Sequence, residues 1–107
     1  MRDELLPGTL EMLILRSISL TPMHGSAIAQ RVRQVSGEVL QIEEGSLYPA
    51  LQRLLAKKWV KANWRETPTK RRARYYTITA AGRKQLGQEV ASFERIAEAI
   101  RRVLKHA

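Results

Sequence analysis

The sequence predicts a mainly α-helical fold that contains one small β-hairpin and ends in a long helix. Apolar residues recur every three to four positions in three short segments before residue 59 and in one long segment after residue 79, as they do along one face of a helix. Between these segments, apolar and polar residues alternate, which is the pattern of β-strands. A chain of 107 residues has room for one hydrophobic core, so we expect these elements to form a single compact unit.

The first two helices are bounded by proline and glycine. The first is predicted to start at Pro7 and Thr9, because proline is tolerated in a first helical turn, and to reach about Leu20. The second opens at Met23-His24-Gly25-Ser26 and stops at Ser36-Gly37. The predicted buried faces are formed by Leu10, Leu13, Ile14 and Ile18 in the first helix and by Ile28, Val32 and Val35 in the second.

A third helix is predicted from Glu43 to about Lys58. Ser46 is expected near its N-terminal cap and Pro49 in its first turn, where the missing N–H has no cost. The short apolar run 39–42 before it is interpreted as a small edge strand. The predicted apolar face of the third helix consists of Leu47, Leu51, Leu54 and Leu55.

The alternating segments form a β-hairpin with a cationic tip. One strand runs from Trp59 to Arg65, and the other runs from Arg74 to Thr79. The turn between them, residues 67–72, contains Lys and Arg side chains. Trp59 and Trp64 are interpreted as part of the hairpin core.

The last helix is predicted to start at residues 79–82 and to run to about Lys105. Its apolar residues recur at steps of four, three, three, four and three, which resembles the seam of a helix pair more than a stripe packed on a core. We therefore predict a homodimer through this helix. The candidate interface residues are Leu86, Val90, Phe93, Ile96, Ile100, Val103 and Leu104.

The charge balance favours a partner that carries phosphate groups. Nineteen Lys and Arg residues against ten Asp and Glu residues give a formal net charge of +9. A surplus of this size creates a positive potential over part of a small domain. The alternative is that these side chains only solvate the surface.

Several other classes of site are disfavoured. The chain has no cysteine, so disulfides, thiolate metal sites and cysteine nucleophiles are excluded. Its two histidines, His24 and His106, lie far apart; we expect His24 to cap a helix, and we expect no metal and no cofactor. No catalytic motif is visible, so we predict no enzyme. No apolar run approaches the ~18 residues that cross a bilayer, so we expect a cytoplasmic protein with no membrane partner.

Three short helices, a hairpin and a long helix follow the order of a winged helix-turn-helix domain. In that architecture the third helix can enter the major groove of DNA, and the hairpin, called the wing, reaches the flanking backbone or minor groove. We therefore predict a DNA-binding domain over residues 1–80 and a C-terminal dimerisation helix over residues 81–107, within the same compact unit.

The chain also resembles PadR-like transcriptional regulators over nearly its whole length. The most specific matching stretches are Glu43-Glu44-Gly45-Ser46-Leu47-Tyr48-Pro49-Ala50-Leu51, followed by Arg53-Leu54, and the wing from Arg71 to Gly82. Residues 5–10 and 23–28 match as well, although Ser26 stands where an aromatic residue is common. The resemblance implies a homodimer that represses transcription, and a single C-terminal helix is typical of the shorter members.

The candidate contacts to double-stranded DNA lie on the third helix and the wing. Gln52 is the candidate base reader, because its amide can bond adenine in a bidentate manner. Tyr48 either contacts phosphate or packs beside Leu51 and Leu55, and Arg53 either contacts DNA or forms a salt bridge. Arg31 and Arg33 are further candidates for phosphate contact from the second helix. The full set of predicted DNA-binding residues is Ser46, Tyr48, Gln52, Arg53, Lys70, Arg71, Arg72 and Arg74.

Two alternatives to DNA binding stay open at this point. Winged helices also serve as protein-interaction modules, in which the basic tip would meet an acidic surface, and the same charge would suit an RNA-binding protein. The resemblance adds one alternative for Phe93, since aromatic residues at such a dimer interface can line a cavity for a small-molecule effector, here unidentified.

Overall fold

The computed structural model of the chain describes residues 8–106. The predicted start of the first helix at Pro7 and residues 5–7 of the matching stretch lie outside this range. In chain order the elements are α1 (Thr9–Ser17), β1 (Met23–His24), α2 (Gly25–Val35), α3 (Glu44–Ala56), β2 (Val60–Glu66), β3 (Arg72–Ile78) and α4 (Ala80–His106). The predicted fold class is confirmed: the chain is mainly α-helical, with one small antiparallel sheet and a long C-terminal helix after it.

The three-stranded sheet has the order β1-β3-β2, and its edge strand differs from the predicted one. Met23 pairs with Tyr76 and His24 pairs with Tyr75, so the edge strand lies before α2. Residues 39–42 form no strand, and the backbone N–H of Leu40 instead donates to the Ser36 hydroxyl at 3.0 Å. The prediction of an edge strand at 39–42 was wrong. The free edge of β3 pairs instead with Met23–His24, a two-residue strand that is too short to show an alternating pattern.

The predicted hairpin is present as β2 and β3, which pair antiparallel. Val60 lies opposite Ile78, Ala62 lies opposite Tyr76, and Trp64 lies opposite Arg74. The inner end of this face is buried, but Trp64 is 62% exposed. The expectation that Trp64 belongs to a core was wrong, because the hairpin extends beyond the helices that cover its base. Trp59 packs partly buried against the core.

The helices differ from the predictions mainly at their ends. α1 stops at Ser17 rather than near Leu20, because Ser19 bonds back to the Arg16 carbonyl through both its N–H and its hydroxyl. α2 ends as predicted before Gly37, whose φ of +64° suits glycine. Val35 was predicted to be buried, but it lies in the last turn of α2 and is 73% exposed.

The start of α3 also differs in detail. Glu43 is its N-cap residue, and Ser46 lies within the helix instead of capping it. Pro49 is the sixth residue of α3, so it lies beyond the predicted first turn and removes the N–H that would bond the Gly45 carbonyl. The predicted apolar face holds: Leu47, Leu51 and Leu54 are fully buried in the core.

One core joins the four helices to the base of the hairpin. α1 contacts both α3 and α4, and the start of α4 packs through Gly82 against Trp59 and Ile78 at the base of the hairpin. The largest fully buried side chains of the core are Ile14, Leu15, Ile18, Ile28, Leu47, Leu51 and Leu54. The outer side of α3, the wing tip and most of α4 are left exposed.

Candidate nucleic-acid interface

The side of α3 that faces away from the core is nearly free of bulky side chains. An α-helix turns by about 100° per residue, so the buried positions Leu47, Ala50, Leu51 and Leu54 define the opposite line of the helix. That line carries Gly45, Pro49, Gln52 and Ala56, all of them exposed. Gln52 is the residue on this line with a long polar side chain. The other three are small or compact, which allows the helix backbone to come close to a surface such as the floor of a groove.

Tyr48 lies on one flank of this line and packs against the start of α2. A Cβ atom at Gly25 would lie 3.1 Å from both Cε1 and the hydroxyl oxygen of Tyr48, so the ring rests on the glycine backbone. Tyr48 is still 43% exposed. The structure therefore places the ring on Gly25, a packing partner that the sequence analysis did not consider, and it leaves part of the ring accessible.

Ser46 and Arg53 lie on the other flank, towards α1. Ser46 is exposed and about two helical turns from Arg53. The Arg53 guanidinium donates from Nε at 2.8 Å and from Nη2 at 2.6 Å to the same carboxylate oxygen, Oε1 of Glu11. Of the two alternatives for Arg53, the structure contains the salt bridge.

The wing tip is a tight turn that displays cations. The Thr67 N–H donates to the Arg71 carbonyl at 2.6 Å, and the Thr67 hydroxyl accepts from the Arg71 N–H at 3.1 Å. Lys70 occupies the left-handed region at a φ of +62°. These bonds fix the turn backbone, while the side chains of Lys70, Arg71 and Arg72 stay exposed.

The wing also carries an exposed aromatic ring, that of Trp64, which was expected to lie in the hairpin core. The Arg72 guanidinium lies 5.7 Å from the centre of the Trp64 ring, and Arg74 is the cross-strand partner of Trp64. Burial raises the pKa of the Tyr76 hydroxyl next along this face, and the positive charge of Arg74 opposes that shift. The exposed part of the face therefore combines a flat ring with two guanidinium groups, which suits sugar and phosphate contacts.

A polar cleft between α2 and the start of α3 contains Arg33, a predicted candidate for phosphate contact, together with polar residues that were not predicted as contacts. Ser26, Gln30 and Arg33 lie on one face of α2 and line this cleft together with Gln41 and Glu44. Ser26, Gln30 and Arg33 are four and three positions apart in the sequence, a spacing that places them on one face of a helix. His24 caps the N-terminus of α2 as predicted, since its Nδ1 accepts from the Ala27 N–H at 3.4 Å.

Beyond its first two turns, α4 exposes a continuous apolar stripe. Phe93, Ile96 and Ile100 are each more than half exposed. Leu86 is only 8% exposed and packs in the core of its own chain, so its assignment to a dimer interface was wrong. The stripe left for another surface, called here the α4 stripe, consists of Val90, Phe93, Ile96, Ile100, Val103 and Leu104.

Within residues 8–106, no helix combines the length and the apolar character needed to cross a membrane. The same range brings together no group of three side chains of the metal-binding type.

The sequence matches a family model described as the transcriptional regulator PadR-like family over residues 14–88. Among curated proteins, it is 29% identical over 99 residues to a protein of Lysinibacillus sphaericus named Uncharacterized protein X, covering 92% of this chain and 91% of that one. It is also 41% identical over 86 residues to an uncharacterized 37.1 kDa protein in a transposon of Streptomyces fradiae. That match covers 80% of this chain but only 23% of the longer protein.

Solved structures show the same fold. A transcriptional regulator from Clostridium thermocellum superposes with a TM-score of 0.81 at 28% identity, covering 89% of this chain and 92% of that one. A PadR-like transcriptional regulator from Bacillus cereus gives a TM-score of 0.82 at 25% identity, with 98% and 100% coverage. A PadR family transcription regulator from Clostridium difficile gives 0.77 at 25% identity, with 89% and 97% coverage.

Proposed function

Because the chain belongs to the PadR-like family of transcriptional regulators, we propose that it binds double-stranded DNA as a homodimer and represses transcription from an inverted-repeat operator. The observation that carries this proposal is the outer line of α3. It offers a nearly bare helix surface with one long polar side chain, Gln52, at its centre. A major groove about 12 Å wide admits such a helix, and a glutamine amide is suited to the edge of adenine.

The wing supplies the affinity that this surface lacks. Gln52 carries no charge, whereas Lys70, Arg71 and Arg72 are displayed together on a turn fixed by its own hydrogen bonds. Phosphate contacts position a protein on DNA, and contacts to base edges select the sequence. In our proposal the wing and the polar face of α2 hold the backbone on either side of the groove that α3 enters.

The dimer forms through the α4 stripe in an antiparallel arrangement. Pairing Phe93 with Ile100 and Val90 with Val103 places the two-fold axis between Ile96 and Ala97, so the stripe is complementary to itself. Glu94 and Arg101 lie seven positions apart on one flank of the stripe, and this arrangement brings each within two residues, ~3 Å along the helix, of the level of the other across the axis. Each buried side chain of this size would stabilise the dimer by roughly 1.5–3 kcal/mol.

Such a dimer presents two α3 helices related by a two-fold axis. Their half-sites should lie ~34–36 Å apart, or at a multiple of that distance, since major grooves on one side of the duplex recur once per turn. Occupying such an operator would block polymerase, which is the proposed mode of repression.

The test is enrichment of duplex fragments from a random pool by the purified chain, followed by titration of the preferred fragment. We expect an inverted repeat. We also expect a large loss of affinity when the spacer is lengthened by about five base pairs, because this turns one half-site to the opposite face. Equal affinity for both spacings would exclude docking of two linked helices. Enrichment of no duplex sequence, with retained binding to RNA or to an acidic protein, would favour one of the two alternative functions.

A further inference from the structure

The salt bridge between Glu11 and Arg53 joins the element that packs on α4 to the proposed recognition helix. Glu11 belongs to α1, which contacts both α3 and α4. Its side chain is 14% exposed, whereas that of Arg53 is 52% exposed. The guanidinium therefore lies at the rim of the α3 surface, with its Nε–Nη2 edge turned inward and occupied by the carboxylate.

We propose that Glu11 is a positioning residue that withholds Arg53 from the DNA backbone and so lowers the sequence-independent affinity of the protein for duplex DNA. This inference rests on the proposed function. Arg53 lies on the flank of α3, where a residue of a helix in the major groove faces the groove wall and its phosphates. Released from Glu11, the same arginine would add a cation to that flank.

The charge of the Glu11–Arg53 pair explains why the paired arginine adds no affinity for DNA. A guanidinium bonded through two N–H groups to one carboxylate forms a neutral unit, and charge-assisted bonds of this kind are stronger than ordinary hydrogen bonds. A neutral unit displaces no counterion from DNA, so in the native protein Arg53 does not contribute to the salt dependence of binding. An unpaired Arg53 at the groove wall would contribute about 0.9 to the slope of log affinity against log salt concentration.

Glu11→Gln keeps the shape of the side chain and removes its charge. On a random-sequence duplex we expect this variant to bind more tightly than the wild type at low salt and to have a salt slope steeper by about 0.9. The double variant Glu11→Gln with Arg53→Gln carries the wild-type net charge and leaves neither charge of the pair without its partner. We expect its salt slope to equal that of the wild type.

A matched control separates this local effect from a change in net charge. Glu98 pairs with Arg102 at 3.5 Å, on the side of α4 that faces away from the α4 stripe. Glu98→Gln therefore raises the net charge equally and also frees an arginine. We expect it to leave the salt slope unchanged, since that arginine lies outside the proposed DNA surface.

The experiment is a fluorescence anisotropy titration of a labelled random-sequence duplex at several KCl concentrations, with circular dichroism melting curves to confirm folding of each variant.

The inference would be overturned if Glu11→Gln had the salt slope of the wild type or bound the duplex more weakly. A double variant whose slope is flatter by about 0.9 would also overturn it, since Arg53 would then contact phosphate from within the salt bridge. If Glu11→Gln alone does not fold, the double variant keeps the inference falsifiable, because a slope flatter than that of the wild type would still overturn it. If the wild type does not bind duplex DNA, the proposed function is wrong and the inference fails with it. If the wild type binds and only the variants disagree, the inference alone fails.

Discussion

The backbone of Gly82, in the first turn of α4, lies directly against the carbonyl oxygen of Trp59. A Cβ atom at position 82 would overlap that oxygen and would lie 2.9 Å from Cγ1 of Ile78. Thr79 fastens the same junction, because its hydroxyl donates to the Lys58 carbonyl at 2.8 Å and accepts from the Gly82 N–H at 3.0 Å. The wing base and the long helix are thus joined through one residue that has no side chain.

Gly82→Ala should therefore destabilise the fold, although alanine is the better helix former. The clash is with backbone, which cannot rotate away, so we expect a loss of about 2 kcal/mol or more in the free energy of unfolding. Gly87→Ala is the matched control, since a Cβ atom there meets nothing within 4 Å in the same helix. This control should stabilise the fold by roughly 0.5–1 kcal/mol. Urea denaturation measures both, and equal stability of the two variants would contradict the packing of Gly82 described above.

The double variant Arg71→Ala with Arg72→Ala tests whether the wing contacts phosphate. If both arginines contact phosphate, the slope of log affinity against log salt should fall by about 1.8, and binding to every duplex should weaken. Lys70 is left in place so that this variant and its control each remove two positive charges. The control is Arg83→Ala with Lys84→Ala, two exposed cations at the start of α4. Equal effects of the two double variants would show that the wing acts only through net charge.

Gln52→Ala tests base reading by the outer line of α3. On the enriched fragment, loss of a good bidentate contact should cost about 1–3 kcal/mol of binding free energy. On random duplex the change should have little effect, since phosphate contacts dominate there. Gln88→Ala, at an exposed position of α4, should leave both affinities unchanged. A similar loss on both duplexes would argue that Gln52 does not select bases.

The arrangement of α4 helices can be tested by cross-linking, because the chain has no cysteine of its own. In the antiparallel dimer, Val90 faces Val103 of the second copy, so the double variant Val90→Cys with Val103→Cys should form a covalent dimer on oxidation. Val90→Cys alone should remain uncrosslinked, because the two copies of this residue would lie ~20 Å apart along the helices. Non-reducing gel electrophoresis reads the result. Efficient cross-linking of the single variant would indicate parallel helices.

Much of this architecture was predictable because it follows from local patterns. Helical spacing identified α1 to α4, and alternation identified the hairpin of β2 and β3. The glycine after α2 and the threonine before α4 marked helix ends through their own backbone and hydroxyl chemistry. The cationic tip and the apolar residues of α4 could likewise be read from the chain.

The tertiary structure decided which of these residues are covered and by what. Leu86 and Val90 are equally apolar and share one helical stripe, yet Leu86 is buried in its own core and Val90 lies where that core ends. Trp64 continues the face of Val60 but extends past the helices that cover it. The partner of Arg53 is an acid 42 positions away, and the edge strand at Met23 pairs with a residue 53 positions further along the chain. Spacing along a chain fixes the direction of each side chain relative to its own helix or strand. Only the packing of distant segments determines whether a side chain in that direction meets the core, a salt-bridge partner or solvent.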